Sequence, residues 1–82
     1  MMFIVVSSIT YANKAKRILN LNGISCEIEQ TPSSIAGRKC TYSVVVSKHE
    51  WRRAGDILND NACNFLSIYE ATDGGYYELN LF

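Results

Sequence analysis

The chain has 82 residues, of which 48% are hydrophobic, and its formal net charge at pH 7 is zero. This length predicts a single small domain, residues 1–82, and the high apolar content with only one proline excludes a disordered protein. The neutral charge argues against a nucleic-acid partner, because such proteins usually carry a basic surface.

The first predicted elements are a strand and a helix. Phe3–Ser7 is a short apolar and β-branched run, which is typical of a buried strand. The residues that follow are candidate helix N-caps, since their hydroxyls accept hydrogen bonds from free backbone N–H groups: Ser7, Ser8 and Thr10. We expect the helix to extend to about Asn22, because Gly23 suits the left-handed position that ends a helix. Its inward positions, spaced by three and four residues, are Ala12, Ala15, Ile18 and Leu19.

A second strand and a polar loop come next. Ile24–Gln30 alternates apolar and charged or polar residues, and its two outward glutamates favour an edge strand. Cys26 lies on the apolar side, where we interpret it as a packed side chain rather than a reactive one. Pro32 ends the strand, and the loop Thr31–Lys39 contains serines that suit one helical turn.

The second half repeats the strand and helix pattern. Cys40–Val46 is apolar and β-prone enough for a central strand. Ser47–Glu50 has the spacing of a capping box, which predicts a helix from there to about Asn61. Two more strands flank a turn, and these three segments are Phe65–Glu70, Asp73–Gly75 and Tyr76–Phe82.

This element order predicts an α+β fold. Short connections and right-handed crossovers favour a ferredoxin-like βαββαβ sandwich, with two helices on one face of an antiparallel sheet in the order 4-1-3-2. The extra C-terminal hairpin strand would lie beside strand four. We expect the other sheet face to be exposed and partly aromatic, and therefore to bind a protein partner or a second copy of the chain in a homodimer. Its candidate residues are Tyr42 or Ser43, Leu66 or Tyr69, and one of Tyr76 and Tyr77.

The predicted topology places Cys40 near the start of the first helix. Free N–H groups, the helix dipole and adjacent basic side chains would all favour thiolate over thiol, and the thiolate is the nucleophile. The anion-binding candidates are Ser7, Ser8, Thr10, Arg38 and Lys39. The alternative is that Cys40 is simply a buried residue at the start of a strand.

Other chemistry has little support in the sequence. The three cysteines form no C-x-x-C pair and the single histidine has no partner at metal-ligand spacing, so neither a metal nor another cofactor is predicted. No acid/base pair or nucleotide-binding loop indicates an independent enzyme. No apolar run approaches the about 20 residues that span a bilayer, and the N-terminus lacks signal-peptide features, so we expect a cytoplasmic protein without a membrane partner.

One segment is similar to a known family. Residues 31–46, TPSSIAGRKCTYSVVV, have a Thr-Pro pair, a serine-containing loop and one cysteine before an apolar strand. Upstream, a Ser/Thr-containing turn and the helix AKRILNLNGI lead into strand two. Over residues 3–60 the chain thus resembles the selenium/sulfur carrier-like small proteins, a family of largely unknown function that often has glycine where this chain has Thr41.

That resemblance implies a function for the thiol. Cys40 would carry sulfur or selenium as a persulfide or selenosulfide, which it accepts from a donor and passes to an acceptor. The alternative hypothesis is a non-catalytic interaction or regulatory module that binds its partner through the exposed sheet face.

Overall fold

The computed structural model describes residues 1–36 and 41–79, with Ala36 described by its backbone alone, and these residues form five strands and three helices. The elements are β1 (Met2–Val6), α1 (Ile9–Leu21), β2 (Glu27–Gln30), α2 (Ser33–Ala36), β3 (Tyr42–Val46), α3 (Trp51–Asp60), β4 (Ser67–Thr72) and β5 (Gly75–Glu78). The predictions for Arg38, Lys39 and Cys40, and for the end of the last strand, fall outside the described residues.

The strands form one antiparallel sheet in the order β2-β3-β1-β4-β5. This confirms the predicted α+β class and the predicted order, with the extra strand beside the fourth. β1 is central: its Ile4 pairs with Val44 of β3 on one side and with Ile68 of β4 on the other. β2 is an edge strand, as its outward glutamates predicted.

The main core lies between the sheet and the two longer helices. Alternate residues of β1, β3 and β4 point towards the helices and meet small or branched residues of α1 and α3. Alanines at the contact positions let each helix approach the sheet closely, and each fully buried Ile or Leu contributes about 1.5–3 kcal/mol. The principal members are Met2, Ile4, Val6, Val44, Val46, Ile68, Ala12, Ala15, Leu19, Ala54 and Leu58.

α1 begins and ends as its sequence predicts. The Ser8 hydroxyl oxygen accepts a hydrogen bond from the Tyr11 N–H at 3.3 Å, which makes Ser8 the N-cap. Gly23 follows the helix with a φ of +80°, and the Ile24 N–H donates to the Leu19 carbonyl at 2.9 Å. This is the Schellman arrangement, in which a left-handed residue lets the chain satisfy the last free carbonyls.

α3 ends in the same way but with alanine at the left-handed position. Ala62 has a φ of +54°, and the Cys63 N–H donates to the Leu58 carbonyl at 2.8 Å. The two helix ends also share the sequence Ile-Leu-Asn-x-Asn, at residues 18–22 and 57–61. In each, the last asparagine donates from its side-chain amide to the carbonyl four residues earlier, at 2.8 Å.

The predicted capping box at the start of α3 is wrong. The Glu50 N–H donates to the Ser47 carbonyl at 3.1 Å, so these residues close a backbone turn. The helix therefore begins at Trp51, and the Glu50 side chain makes no capping hydrogen bond. A backbone turn satisfies the same N–H group that the box would use, which removes the need for the side-chain contact.

The sheet face opposite α1 and α3, here called the helix-free face, is buried at its centre. Phe3, Val5 and Val45 lie there among the buried apolar residues, so the prediction of an exposed face is wrong for this region. A strand with an uninterrupted apolar sequence is typically covered on both faces, and β1 has this sequence.

The margin of the helix-free face is aromatic, as predicted. Strand register places Ser43 rather than Tyr42 on it, together with Tyr69 and Tyr76. The Tyr76 ring meets the Phe3 ring edge-to-face, with centroids 5.6 Å apart. No helix in the described ranges has the length and apolar character that a bilayer-spanning segment requires.

Candidate thiol site

The end of β1 and the start of β3 meet at one edge of the sheet. Val6, the last residue of β1, pairs with Tyr42, the first residue of β3. Ser7 and Ser8 continue from Val6 into α1, and Thr41 immediately precedes Tyr42. The strand register therefore brings the residue next to Cys40 in sequence to the edge where α1 begins, while the placement of Cys40 itself lies outside the described residues.

The predicted hydroxyl residues surround the N-terminus of α1. Ser8 caps the helix, and the side chains of Ser7 and Thr10 are exposed to solvent. The first turn contains no acidic residue, so nothing on the helix neutralises the partial positive charge of its free N–H groups. A helix N-terminus in general favours nearby negative charge, and the two predicted basic partners, Arg38 and Lys39, are outside the described residues.

Cys26 is packed rather than reactive. Its thiol is 7% exposed and lies 4.0 Å from the Lys16 carbonyl oxygen and 3.9 Å from the Asn20 side-chain oxygen. Burial raises the pKa of this thiol, the Lys16 ammonium lowers it and the Glu27 carboxylate raises it. The ammonium and the carboxylate lie 3.8 Å apart, so they partly cancel and the thiol remains protonated at neutral pH.

Cys63 is buried more completely. It follows the left-handed residue Ala62 and has no exposed surface. Burial raises the pKa of its thiol, and the positive charge of Lys14 offsets this only in part. A thiol that is both protonated and inaccessible is a poor nucleophile, so Cys63 belongs to the core.

A group of buried hydroxyls at the start of β3 was missed by the sequence reasoning. The Thr31 and Ser43 hydroxyl oxygens are 2.7 Å apart, and the Thr31 N–H donates to the Thr41 carbonyl at 2.9 Å. Thr41 Oγ1 is buried and has no hydrogen-bond partner among the described residues. The available signal was that Thr41 and Ser43 interrupt an otherwise apolar strand sequence at alternate positions.

No three His, Cys, Asp or Glu side chains within residues 1–36 and 41–79 are arranged to hold a metal ion.

Comparison with protein families gives a match over residues 1–70 to the family described as "Putative Se/S carrier protein-like". The chain belongs to this family. The match extends past residue 60, where the sequence resemblance ended, and includes all of α3 and most of β4. Searches of curated proteins and of solved structures each gave no match.

The three cysteines of this Se/S carrier-like protein all lie within the matched residues. Family membership alone therefore does not select among them. Cys26 and Cys63 are core residues with raised pKa values, and Cys40 lies outside the described residues.

Proposed function

We propose that this protein carries sulfur or selenium on Cys40, as a persulfide or selenosulfide. The observation that carries the proposal is the burial of both other thiols, Cys26 and Cys63, together with the rise in their pKa values. Within a family described as Se/S carrier-like, that leaves Cys40 as the candidate for transfer chemistry.

Two features of the chain support this choice of site. Thr41, the residue that follows Cys40 in the sequence, directly precedes the Val6–Tyr42 pair at the end of the sheet where α1 begins. Ser7, Ser8 and Thr10 lie at that end, while Arg38 and Lys39 directly precede the cysteine in the sequence. Helix N–H groups and basic side chains both stabilise the thiolate form, which is the attacking species.

The proposed transfer is a thiol–persulfide exchange. The Cys40 thiolate attacks the outer sulfur of a donor persulfide, a new S–S bond forms at Cys40, and the donor's own S–S bond breaks. The donor leaves as a thiolate and takes up the proton that Cys40 lost, so no external oxidant or reductant is consumed. A donor selenosulfide reacts in the same way and leaves selenium on Cys40.

Alkylation of the three cysteines in one sample tests the site. The folded protein is treated with iodoacetamide at pH 7, and modification is followed by mass spectrometry of the peptides that contain Cys26, Cys40 and Cys63. We expect Cys40 to react about threefold faster than a free thiol peptide, because a pKa about one unit lower raises the thiolate fraction about tenfold and lowers the intrinsic nucleophilicity of the thiolate about threefold. Equal reactivity of Cys40 and the free peptide would remove the basis of the proposal.

Sulfur uptake is measured on the same protein with a low-molecular-weight persulfide as donor. The expected product has the mass of one added sulfur atom on the peptide that contains Cys40, and Cys40→Ser abolishes it. Cys26→Ala and Cys63→Ala are the matched controls, because each removes one thiol and leaves Cys40 in place. Sulfur found on Cys26 or Cys63 instead would contradict the assignment.

The donor and acceptor of this proposal are proteins or small thiols. The alternative module and the homodimer both depended on an exposed sheet face, and the centre of that face is buried. The carrier hypothesis does not need that surface, so we prefer it.

A further inference from the structure

β5 is the outer strand at one side of the sheet, and within the described residues no further strand pairs with it. Its sequence is Gly-Tyr-Tyr-Glu, and its two tyrosines, Tyr76 and Tyr77, are 38% and 56% exposed. Natural edge strands are commonly protected from further pairing by lysine, proline or a bulge. β5 contains neither of these residues and its pairing with β4 is regular, so its outer side suits another strand.

The backbone hydrogen bonds of β4 show which way the groups of β5 point. The Ala71 N–H donates at 2.9 Å to the carbonyl of the residue before β1, so Ala71 points towards β1. Since successive residues of a strand point their N–H and C=O groups to opposite sides, Glu70 points towards β5, where it faces Tyr77. The residues on either side of Tyr77, which are Tyr76 and Glu78, therefore point their N–H and C=O groups away from β4.

We propose that β5 pairs antiparallel with β5 of a second copy of this chain, across a twofold axis at Tyr77. In this register, Tyr76 of each copy lies opposite Glu78 of the other, and each such pair exchanges both of its N–H to carbonyl hydrogen bonds. The two sheets thus become one continuous sheet. A register centred on Tyr76 uses the outward groups of that residue alone, and a register centred on Glu78 sets two carboxylates opposite each other.

The side chains at the proposed axis favour a second β5 as the partner. Residues opposite each other there form a close pair, with Cα atoms about 4.5 Å apart, and two tyrosines in such a pair make a favourable aromatic contact. Glu70 is the neighbour of Tyr77 in the sheet, and its carboxylate lies 3.4 Å from the Lys48 ammonium. The negative charge nearest to the tyrosine pair is therefore partly neutralised.

The edge strand at the other side of the sheet, β2, does not suit the same arrangement. Its sequence is Glu-Ile-Glu-Gln, so symmetric pairing of two β2 strands brings acidic side chains together. An axis at Ile28 sets Glu27 opposite Glu29, and an axis at Glu29 sets two copies of that residue opposite each other. Like charges in directly opposite positions are destabilising, so we expect self-association at β5 and not at β2.

Pairing through β5 gives a closed dimer, because the twofold axis uses the same strand of both copies. The inference goes beyond the proposed function and is independent of it. The contact uses the side of the sheet, not the helix-free face, and it involves none of the three cysteines.

Sedimentation velocity of the full chain tests the dimer. A contact of one short strand per copy is typical of weak, transient complexes, so the protein concentration is varied from about 10 μM to about 1 mM. We expect the mass to rise from one chain to two and then to stop. Tyr77→Lys should abolish this rise, since it sets two ammonium groups opposite each other. Tyr11→Lys is the matched control, because Tyr11 is also an exposed tyrosine but lies on α1, and this variant should dimerise like the unmodified protein.

A charge swap tests the register. Tyr77→Glu alone should also stay monomeric, whereas a mixture of Tyr77→Lys and Tyr77→Glu should form a mixed dimer, because opposite charges then meet at the axis. Glu78→Pro removes an outward N–H from each copy without removing a bond to β4, and it should abolish the dimer too. Urea denaturation curves check that each variant folds, and Glu78→Pro decides the matter if the Tyr77 variants do not.

Several results would overturn the inference. They are a single-chain mass at every concentration of the unmodified protein, an unchanged dimer in Tyr77→Lys or Glu78→Pro, and no dimer in the mixture of folded charge variants. A mass that continues to grow beyond two chains would also overturn it, since β5 would then pair with β2 of the next copy in an open chain. Sulfur uptake by Cys40 is measured separately, so neither proposal decides the other.

Discussion

The two longer helices end in the same hydrogen-bonded turn, yet one has glycine and the other alanine at the left-handed position. Ala62 has a φ of +54°, a conformation that costs a residue with a Cβ atom about 1–2 kcal/mol. Ala62→Gly removes this strain but lets the unfolded chain gain entropy worth about 0.5–1 kcal/mol. The net expectation is a protein more stable by about 0.5–1 kcal/mol.

The reciprocal change at the first helix has the opposite sign. Gly23 has a φ of +80°, and a Cβ atom built there meets no described atom within 4 Å. Gly23→Ala therefore introduces backbone strain without a steric clash, and we expect it to destabilise the protein by about 0.5–1 kcal/mol. The pair isolates conformational strain, because both helix ends make the same backbone hydrogen bonds.

Urea and thermal denaturation followed by circular dichroism measure both changes. For a chain of this size, 1 kcal/mol shifts the melting temperature by about 4–8 °C, so each change should move it by about 2–8 °C, up for Ala62→Gly and down for Gly23→Ala. The m-value should not change, since neither substitution alters the buried area appreciably. A lower urea midpoint for Ala62→Gly, or melting-temperature shifts of the same sign for both variants, would show that strain in the left-handed backbone does not determine their stability.

Two further results are expected. Burial raises the pKa of Cys26 and Cys63 above 9.0, so the unfolded chain ionises these thiols first and stability falls as pH rises from about 9. Urea midpoints between about pH 8 and about pH 10 should fall less steeply in Cys63→Ala, and an unchanged slope would contradict its assigned burial. Thr31→Val leaves the Ser43 hydroxyl unpaired and should cost about 1–3 kcal/mol in urea denaturation, whereas adding Ser43→Ala should recover part of it. Additive costs in that double variant would show that the two hydroxyls are not coupled.

Sequence patterns predicted the features that depend on neighbouring residues. Gly23 ended the first helix as expected, Ser8 capped it, and the order of elements was enough to give the strand order. The capping box failed because Ser47 and Glu50 lie at the right spacing for a backbone turn as well, and a sequence does not distinguish the two. Local patterns also placed the start of β4 two residues too early, at Phe65 instead of Ser67.

Features that depend on strand register could not be predicted from the sequence. Thr31 and Ser43 are twelve positions apart, and their hydrogen bond exists only because β2 and β3 pair in one register out of several. Burial on both sides of β1 was signalled by its unbroken apolar sequence, but which residues lie on the helix-free face follows from the pairing.

The fold explains why Cys26 and Cys63 are buried, and it bears on the proposal that Cys40 is the carrier. Cys26 and Cys63 follow the two helices at points where the chain turns back into the core, and Cys63 directly follows a left-handed helix end. Both cysteines are therefore buried, where the charge of a thiolate is unfavourable. Cys40 instead precedes a strand whose first pair lies beside the start of α1, the end of a helix where negative charge is stabilised. A cysteine at the C-terminal end of either helix lies where the helix dipole destabilises a thiolate. The position of a cysteine in the fold therefore decides how readily it ionises.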